Sequence, residues 1–398
     1  MSFSKIRVIH SFRVWLPQTQ TWMFNQVSHL PEDVEPHIVC ERTENLDQFW
    51  LPNIHSLSEA SRWRYFCDKT LRRLRFRRHL GLLEEQARRS NAQVLHSHFG
   101  DIAWINLAAS KGTGLKHVVT FYGQDVNYLP RHDSCWVDRY QALFRQVDLV
   151  LCEGPHMARC LLGLGCPRHK IQVHHLGVRV DEIEFRPRFW DPTMPLCVLL
   201  ASSFREKKGI TYALEALGRL QHEIALRITL IGDATEEARS QAEKKNILSM
   251  LARHRLEPKT RLLGYQSTAT LFEESYKHHV FMAPSVTAGD GDTEGGLPVT
   301  IVEMAAAGIP IISTRHCDIP EVIVHQMTGL LAEERDVEGL VTQLKWLVEH
   351  PGLWGGMLRL ARQRVESEFN ARLQGEQLAS VYRKLMKQDG ISRIKEFN

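Results

Sequence analysis

Two glutamates, Glu294 and Glu303, flank the run Gly295-Gly296-Leu297-Pro298, with eight residues between them. An apolar run, 280–283, leads into this glycine-rich polar loop, and Pro298 then opens a helical pattern where its missing N–H costs nothing. Backbone donors of Gly295, Gly296 and the first helical turn are thereby aimed at the carboxyl end of a sheet, a place that attracts phosphate. Two carboxylates beside an anion site are costly unless they accept hydroxyls, which points to sugar and ribose OH groups. A solvated turn with Glu303 in a surface salt bridge is the plain alternative. Upstream, Ser202-Ser203-Phe204-Arg205-Glu206-Lys207-Lys208-Gly209 follows another buried apolar run, and Arg205 and Lys208 place cations in that strand-to-helix loop. Asp290 and Asp292 mimic a metal-binding pair. An EF-hand reading fails because the twelfth loop position is Ile301, where a bidentate glutamate is required. No G-x-G-x-x-G after a strand, P-loop, G-x-S-x-G or H-E-x-x-H occurs.

These residues need elements to hold them. Short apolar runs at 6–9, 94–96, 118–121, 149–152, 171–174, 196–201, 227–231, 280–283 and 310–313 alternate with helical patterns such as 212–220, 238–254 and 337–349. Runs without clean alternation suit strands buried on both faces, so the chain reads as repeated β-α-β, a doubly wound α/β architecture. The 398 residues suit two domains. The proline-rich stretch before 196 breaks both periodicities. The expected division is 1–186, a linker at 187–195, a second domain at 196–370, and a last helix within 371–398 that finishes the second domain or packs back on the first.

Composition is ordinary for a globular chain: 43% hydrophobic, 24% charged, formal net charge +4. That excludes a wholly disordered, collagen-like or polytopic membrane protein and does not favour nucleic acid. The eight cysteines form no C-x-x-C pair, and no uninterrupted apolar stretch reaches membrane-spanning length. A cytoplasmic location is expected. Residues 62–78 hold eight Lys/Arg against one Asp, from Arg62 to Arg78, with Trp63, Phe66, Cys67, Thr70, Leu71 and Leu74 on one helical face. Two readings stand: an interfacial helix meeting anionic headgroups, or a helix whose apolar face packs inward.

With these motifs the sequence resembles the group 1 (glycogen-synthase-like) retaining glycosyltransferases of GT-B fold, especially transferases of bacterial exopolysaccharide or colanic-acid-type assembly. The pair of glutamates around Gly-x-Pro resembles the family signature, with one residue more than the usual spacing because Gly295-Gly296 supplies an extra glycine. The segment ending Lys208-Gly209 resembles the family's diphosphate clamp; Lys208 matches the lysine, Ser203 stands at the arginine position, and Arg205 lies two residues on. The run Leu263-Gly-Tyr265-Gln resembles a loop near the nucleotide base. In the first half, His96-Ser-His98-Phe-Gly100-Asp101 and Thr120-Phe-Tyr122-Gly-Gln-Asp125 resemble acceptor-side loops, with Tyr122 where many relatives carry histidine. Pro17-Gln-Thr-Gln-Thr21 is a weaker candidate for phosphate or acceptor contact.

The resemblance implies two Rossmann-like domains facing across a cleft. It implies transfer of a sugar, with retention, from a nucleotide diphosphate sugar to a hydroxyl of a glycan, here expected to be lipid-linked and part of cell-surface polysaccharide assembly. His98, Asp125 and Glu294 are the expected catalytic residues. Arg205, Lys208, Gly295, Gly296, Leu297, Glu303 and Tyr265 are expected to bind the donor. No metal and no cofactor are expected, nor nucleic acid as a partner; residues 62–78 are the candidate contact with the inner-membrane surface. A nucleotide-sugar epimerase, a phosphorylase and a noncatalytic nucleotide-sugar-binding scaffold remain as rival readings.

Overall fold

Largely buried strands, most of them followed by a helix, build two parallel sheets. In the computed structural model, which describes residues 5–17, 20 and 22–396 (side chains to 387), one unit comprises residues 1–177 with 370–398, and the other comprises 178–369. Of the loop 17–21, Gln18, Thr19 and Thr21 lie outside the described residues.

The first unit holds β1 (Ile6–Ser11), β2 (Val34–Cys40), β3 (Ile54–Ser56), β4 (Val94–His98), β5 (Lys116–Phe121), β6 (Leu149–Cys152) and β7 (Ile171–Val173). Their order is β3-β2-β1-β4-β5-β6-β7, all parallel. Chain order therefore reverses between β1 and β4. Register pairs His10 with His96 and His98 with Thr120, so these polar residues share a face with Val8, Val94 and Val118. The helix Ala371–Glu396 covers that face through Leu378, Val381, Tyr382 and Leu385, and it belongs to this unit.

The second unit holds β8 (Leu196–Ala201), β9 (Leu226–Ile231), β10 (Thr260–Leu262), β11 (Val280–Ala283), β12 (Ile311–Thr314) and β13 (Leu330–Ala332). The order β10-β9-β8-β11-β12-β13, again all parallel, is the Rossmann order. Leu196, Val198 and Leu200 pack into one core, and Leu199 with Phe281 and Ile311 into the other. Alternate residues thus find helices on both faces, as a buried parallel strand requires. Chain order reverses between β8 and β11, which sets the loops 202–209 and 284–298 side by side.

The expected linker at 187–195 is part of the second unit, the division falling instead between Gly177 and Val178. The reason is polar as well as apolar. Arg188, buried, donates to the carbonyls of Ser275 and Ala307, and Trp190 packs into the core of this unit. Among the described residues, no helix is long and apolar enough to cross a membrane.

Candidate functional site

The reversal between β8 and β11 collects the charged residues of the second unit. Open α/β sheets bind ligands at such points, beyond the carboxyl ends of the strands. After β8, Lys207 and Lys208 end a short turn closed by Gly209, which sits in the left-handed region at φ 63°. A Cβ there would stand 1.9 Å from the Pro284 carbonyl, so only glycine lets the two loops touch. Lys208 Nζ donates to Glu294 Oε2 at 2.8 Å, across 86 positions of sequence, and Ser285 Oγ donates to Glu294 Oε1 at 2.7 Å. Lys207 Nζ donates to Asp292 Oδ1 at 3.1 Å and to the Thr293 carbonyl at 2.8 Å. Burial alone would raise the Glu294 carboxyl, but Lys208 and Lys207 with the Ser285 hydroxyl hold it down to about 2. It is a fixed negative charge at neutral pH.

Below Glu294, Gly295 takes a φ of 81°, and Pro298 caps the helix Val299–Ala307. The first turn of any α-helix leaves N–H groups without intrahelical partners. Leu297 is buried among Ile301, Val302 and Ile319, so its side chain anchors the loop while its backbone lies at the helix entry. Glu303 is half-buried inside the helix. Burial raises its carboxyl to about 7, with Arg179 pulling weakly the other way. The two glutamates therefore have opposite protonation tendencies.

Arg205 donates to Glu237 at 2.7 Å and lies 3.9 Å from Asp292. Asp290 and Asp292 are held by cations, Arg239 reaching both and Lys207 the second, which accounts for the apparent metal pair. Tyr265 stands partly exposed just past Gly264, whose carbonyl accepts from Gly232 N at 2.8 Å beyond β9. The backbone N–H of Glu294 donates to His316 Nε2 at 3.1 Å, so His316 carries its proton on Nδ1 and gives it to Glu334 Oε1 at 2.7 Å. Sequence reasoning missed Lys207, Ser285, His316 and Glu334 as supports of Glu294. Lys207 stood beside a selected lysine, but nothing local links it or His316 to Glu294.

In the first unit the outcome differs. His98 is fully buried at the end of β4, its Nδ1 2.6 Å from the Tyr122 hydroxyl and its Nε2 3.0 Å from His10 Nδ1. The Tyr122 hydroxyl donates to Gln26 Oε1, which makes His98 Nδ1 the donor to it and His10 Nδ1 the donor to His98. Burial keeps His98 well below its ordinary value and takes His10 to about 3, so both rings are neutral. His10, His96 and His98 place ligand atoms within 4.8 Å of one another. Both nitrogens of His96 and of His98 are nonetheless engaged, His96 with Tyr382 and Thr120. This is a hydrogen-bonded packing cluster.

Asp125 is buried too. Its Oδ1 accepts from Tyr122 N and Gly123 N, and its Oδ2 accepts from Gly100 N at 2.8 Å. That last bond fixes the turn at Phe99, whose φ of 78° is strained for a residue with a Cβ. The polar side-chain atoms of His98 and Asp125, both expected at the acceptor side, are thus all hydrogen-bonded within this unit, where they hold Tyr122 and the turn at Phe99. Burial raises Asp125 to about 7 against these N–H donors. Asp125→Asn would face its amide donor toward an N–H; the expected loss is about 2 kcal/mol, read as a lower urea midpoint.

The family assignment rests on matches in both halves of the chain. Residues 195–350 match the family model described as glycosyl transferases group 1, and residues 19–182 match that of glycosyltransferase family 4. WcaL of Escherichia coli, named as a colanic acid biosynthesis glycosyltransferase, is 31% identical over 300 residues, 74% of this chain and 71% of its own. The chain belongs to the group 1 glycosyltransferases.

Another relative of this glycosyltransferase, the amylovoran biosynthesis glycosyltransferase AmsK of Erwinia amylovora, is 31% identical over 68% of this chain and 64% of its own. Among solved structures, a glycosyltransferase from Rickettsia africae superposes with a TM-score of 0.76 over 97% of this chain and all of its own, at 18% identity. Anabaena HepE in complex with UDP does so at 0.76 over 95% of this chain and all of its own, at 14% identity. The glycosyltransferase therefore has the GT-B architecture of two Rossmann-like units. Group 1 enzymes of this type are characteristically metal-independent.

Proposed function

We propose that this glycosyltransferase moves a sugar from a nucleoside diphosphate sugar to a hydroxyl of a glycan in cell-surface polysaccharide assembly. The polymers named for WcaL and AmsK favour this setting. The observation that carries the donor reading is the meeting of Lys207, Lys208, Ser285 and Glu294 at the β8/β11 reversal, beside the entry of the helix Val299–Ala307. Lys208 and Arg205 are assigned to the diphosphate. Arg205 takes the place of the cation lost at Ser203: its partner Glu237 is half exposed, so that pair is weak and readily exchanged for phosphate. The backbone of Gly295, Gly296 and Leu297 and the helix entry meet the same group. Glu303 accepts ribose hydroxyls, Tyr265 lies by the base, and Glu294 accepts hydroxyls of the transferred sugar.

The transfer we infer is retaining. The bond from the anomeric carbon to the phosphate oxygen breaks ahead of attack, and the released phosphate oxygen takes the acceptor's proton. The acceptor oxygen then bonds to the carbon on the same face. In this reading the lysines stabilise the departing charge, and the ionised Glu294 beside the transferred sugar favours the cationic transition state. The acceptor is proposed to be lipid-linked and the enzyme to work from the cytoplasmic side, in keeping with Cys40, Cys152 and Cys166 serving as buried hydrophobes.

A thermal-shift panel with UDP, GDP, ADP and their sugars tests this. One nucleotide at ~100 times its dissociation constant should stabilise the fold by roughly 2.7 kcal/mol. NMR of the anomeric proton of the product then reads the stereochemistry. No shift with any nucleotide would reject the donor site, and an inverted product would reject retention.

A further inference from the structure

The basic segment 62–78 sits in the fold the opposite way round from an ordinary amphipathic helix. Its helix, Arg62–Arg73, turns Asp68 inward, 5% exposed, although Asp68 is the segment's single acid. Asp68 binds Arg72 Nε at 2.9 Å, Arg77 Nη2 at 2.6 Å and the Gly81 N–H at 2.8 Å. Arg72 also reaches Glu41 at 3.0 Å, and Arg64 pairs with Glu85. The inward contacts of the helix are therefore polar and paired. On the opposite side of a 3.6-residue helix, Trp63 and Phe66 are 74% and 62% exposed, with Leu74 beside them and Phe76, 79% exposed, just beyond. The reading in which the apolar face packs inward is excluded by this geometry.

The charges on the same outer surface are of one sign. Glu41, Asp68 and Glu85 neutralise Arg64, Arg72 and Arg77, while Arg62, Lys69, Arg73, Arg75 and Arg78 stand exposed. Large aromatic side chains held in water among cations are unstable alone and complementary to a surface that is apolar beneath and anionic above. We propose that residues 62–78 dock this enzyme on a bilayer containing anionic phospholipid. Trp63, Phe66, Leu74 and Phe76 enter at headgroup depth, and the five exposed cations meet the phosphates. The inference extends the reading of a lipid-linked acceptor but is tested apart from it, by binding alone.

The test is co-sedimentation of the full chain with vesicles of phosphatidylcholine, with and without phosphatidylglycerol. Wild type should pellet with the anionic vesicles and little with the neutral ones. Trp63→Ser/Phe66→Ser/Phe76→Ser should weaken binding at least about tenfold, and Arg73→Gln/Arg75→Gln/Arg78→Gln should weaken it roughly fivefold per cation removed. Melting midpoints and nucleotide-induced shifts should stay unchanged, since these side chains are solvent-facing. Equal pelleting with both vesicle types, or a serine variant that binds like wild type, would overturn the proposal. So would absence of pelleting together with self-association that the serine variant abolishes, which would assign the face to a second copy of the chain.

Discussion

Lys208→Ala is expected to lower kcat/KM by about 10²–10³-fold, the usual effect of removing one preorganised group from developing negative charge. It should also destabilise the fold by about 3 kcal/mol. Glu294 is buried and ionised, and without Lys208 it keeps the Ser285 hydroxyl and a more distant Lys207. The two losses separate in a double-mutant cycle. Adding Glu294→Gln to Lys208→Ala removes the stranded charge, so the urea midpoint should recover most of its fall while activity does not. Lys208→Arg keeps the charge and should retain part of the activity. If Lys208→Ala left kcat/KM within about twofold of wild type, the lysine would not be serving the diphosphate.

Glu303→Gln is expected to remove a pH dependence. Its folded carboxyl titrates at about 7, above the ordinary 4.5, so the folded state holds this proton through a window in which the unfolded chain has released it. Stability from this group is therefore greatest below about pH 4.5, falls as pH rises through the window, and is lower by about 3 kcal/mol above pH ~7. Urea midpoints at about pH 5 and about pH 8 should differ more for wild type than for the glutamine variant, which leaves the Asp125 contribution common to both. Donor binding has the opposite slope. A carboxylate that accepts ribose hydroxyls must be ionised, so wild-type affinity should rise about tenfold between pH ~6 and pH ~8. In Glu303→Gln it should be weaker and flat. A wild-type affinity independent of pH would remove Glu303 from the ribose.

The architecture was legible because its causes are local. Unbroken apolar runs such as 196–201 and 280–283 announce strands buried on both faces, and Gly209 and Pro298 mark turns whose geometry few other residues permit. Where local signals conflict, tertiary context decides. Val34–Cys40 carries Pro36 and Glu35 and does not read as an interior strand, yet it lies between β1 and β3. Its parallel neighbours and its buried Ile38 and Val39 outweigh the missing N–H. The short strands at 54–56, 260–262 and 330–332 are too brief to show a period at all.

The site divides in the same way. The pairing of glutamates about Gly-x-Pro and the clamp ending in Lys208 are properties of residue type and spacing, and they locate the donor half of the chemistry. Spacing says nothing of Lys208 meeting Glu294, which depends on strand order bringing loops 86 positions apart together. Nor does it reveal that His98 and Asp125 spend their polar atoms on Tyr122, His10 and three backbone N–H groups, because burial is a property of the assembled unit. The segment 62–78 makes the point most sharply. Its periodicity defined an apolar face, but which way that face turned was decided by Asp68, whose charge required Arg72, Arg77 and the Gly81 N–H around it in the interior.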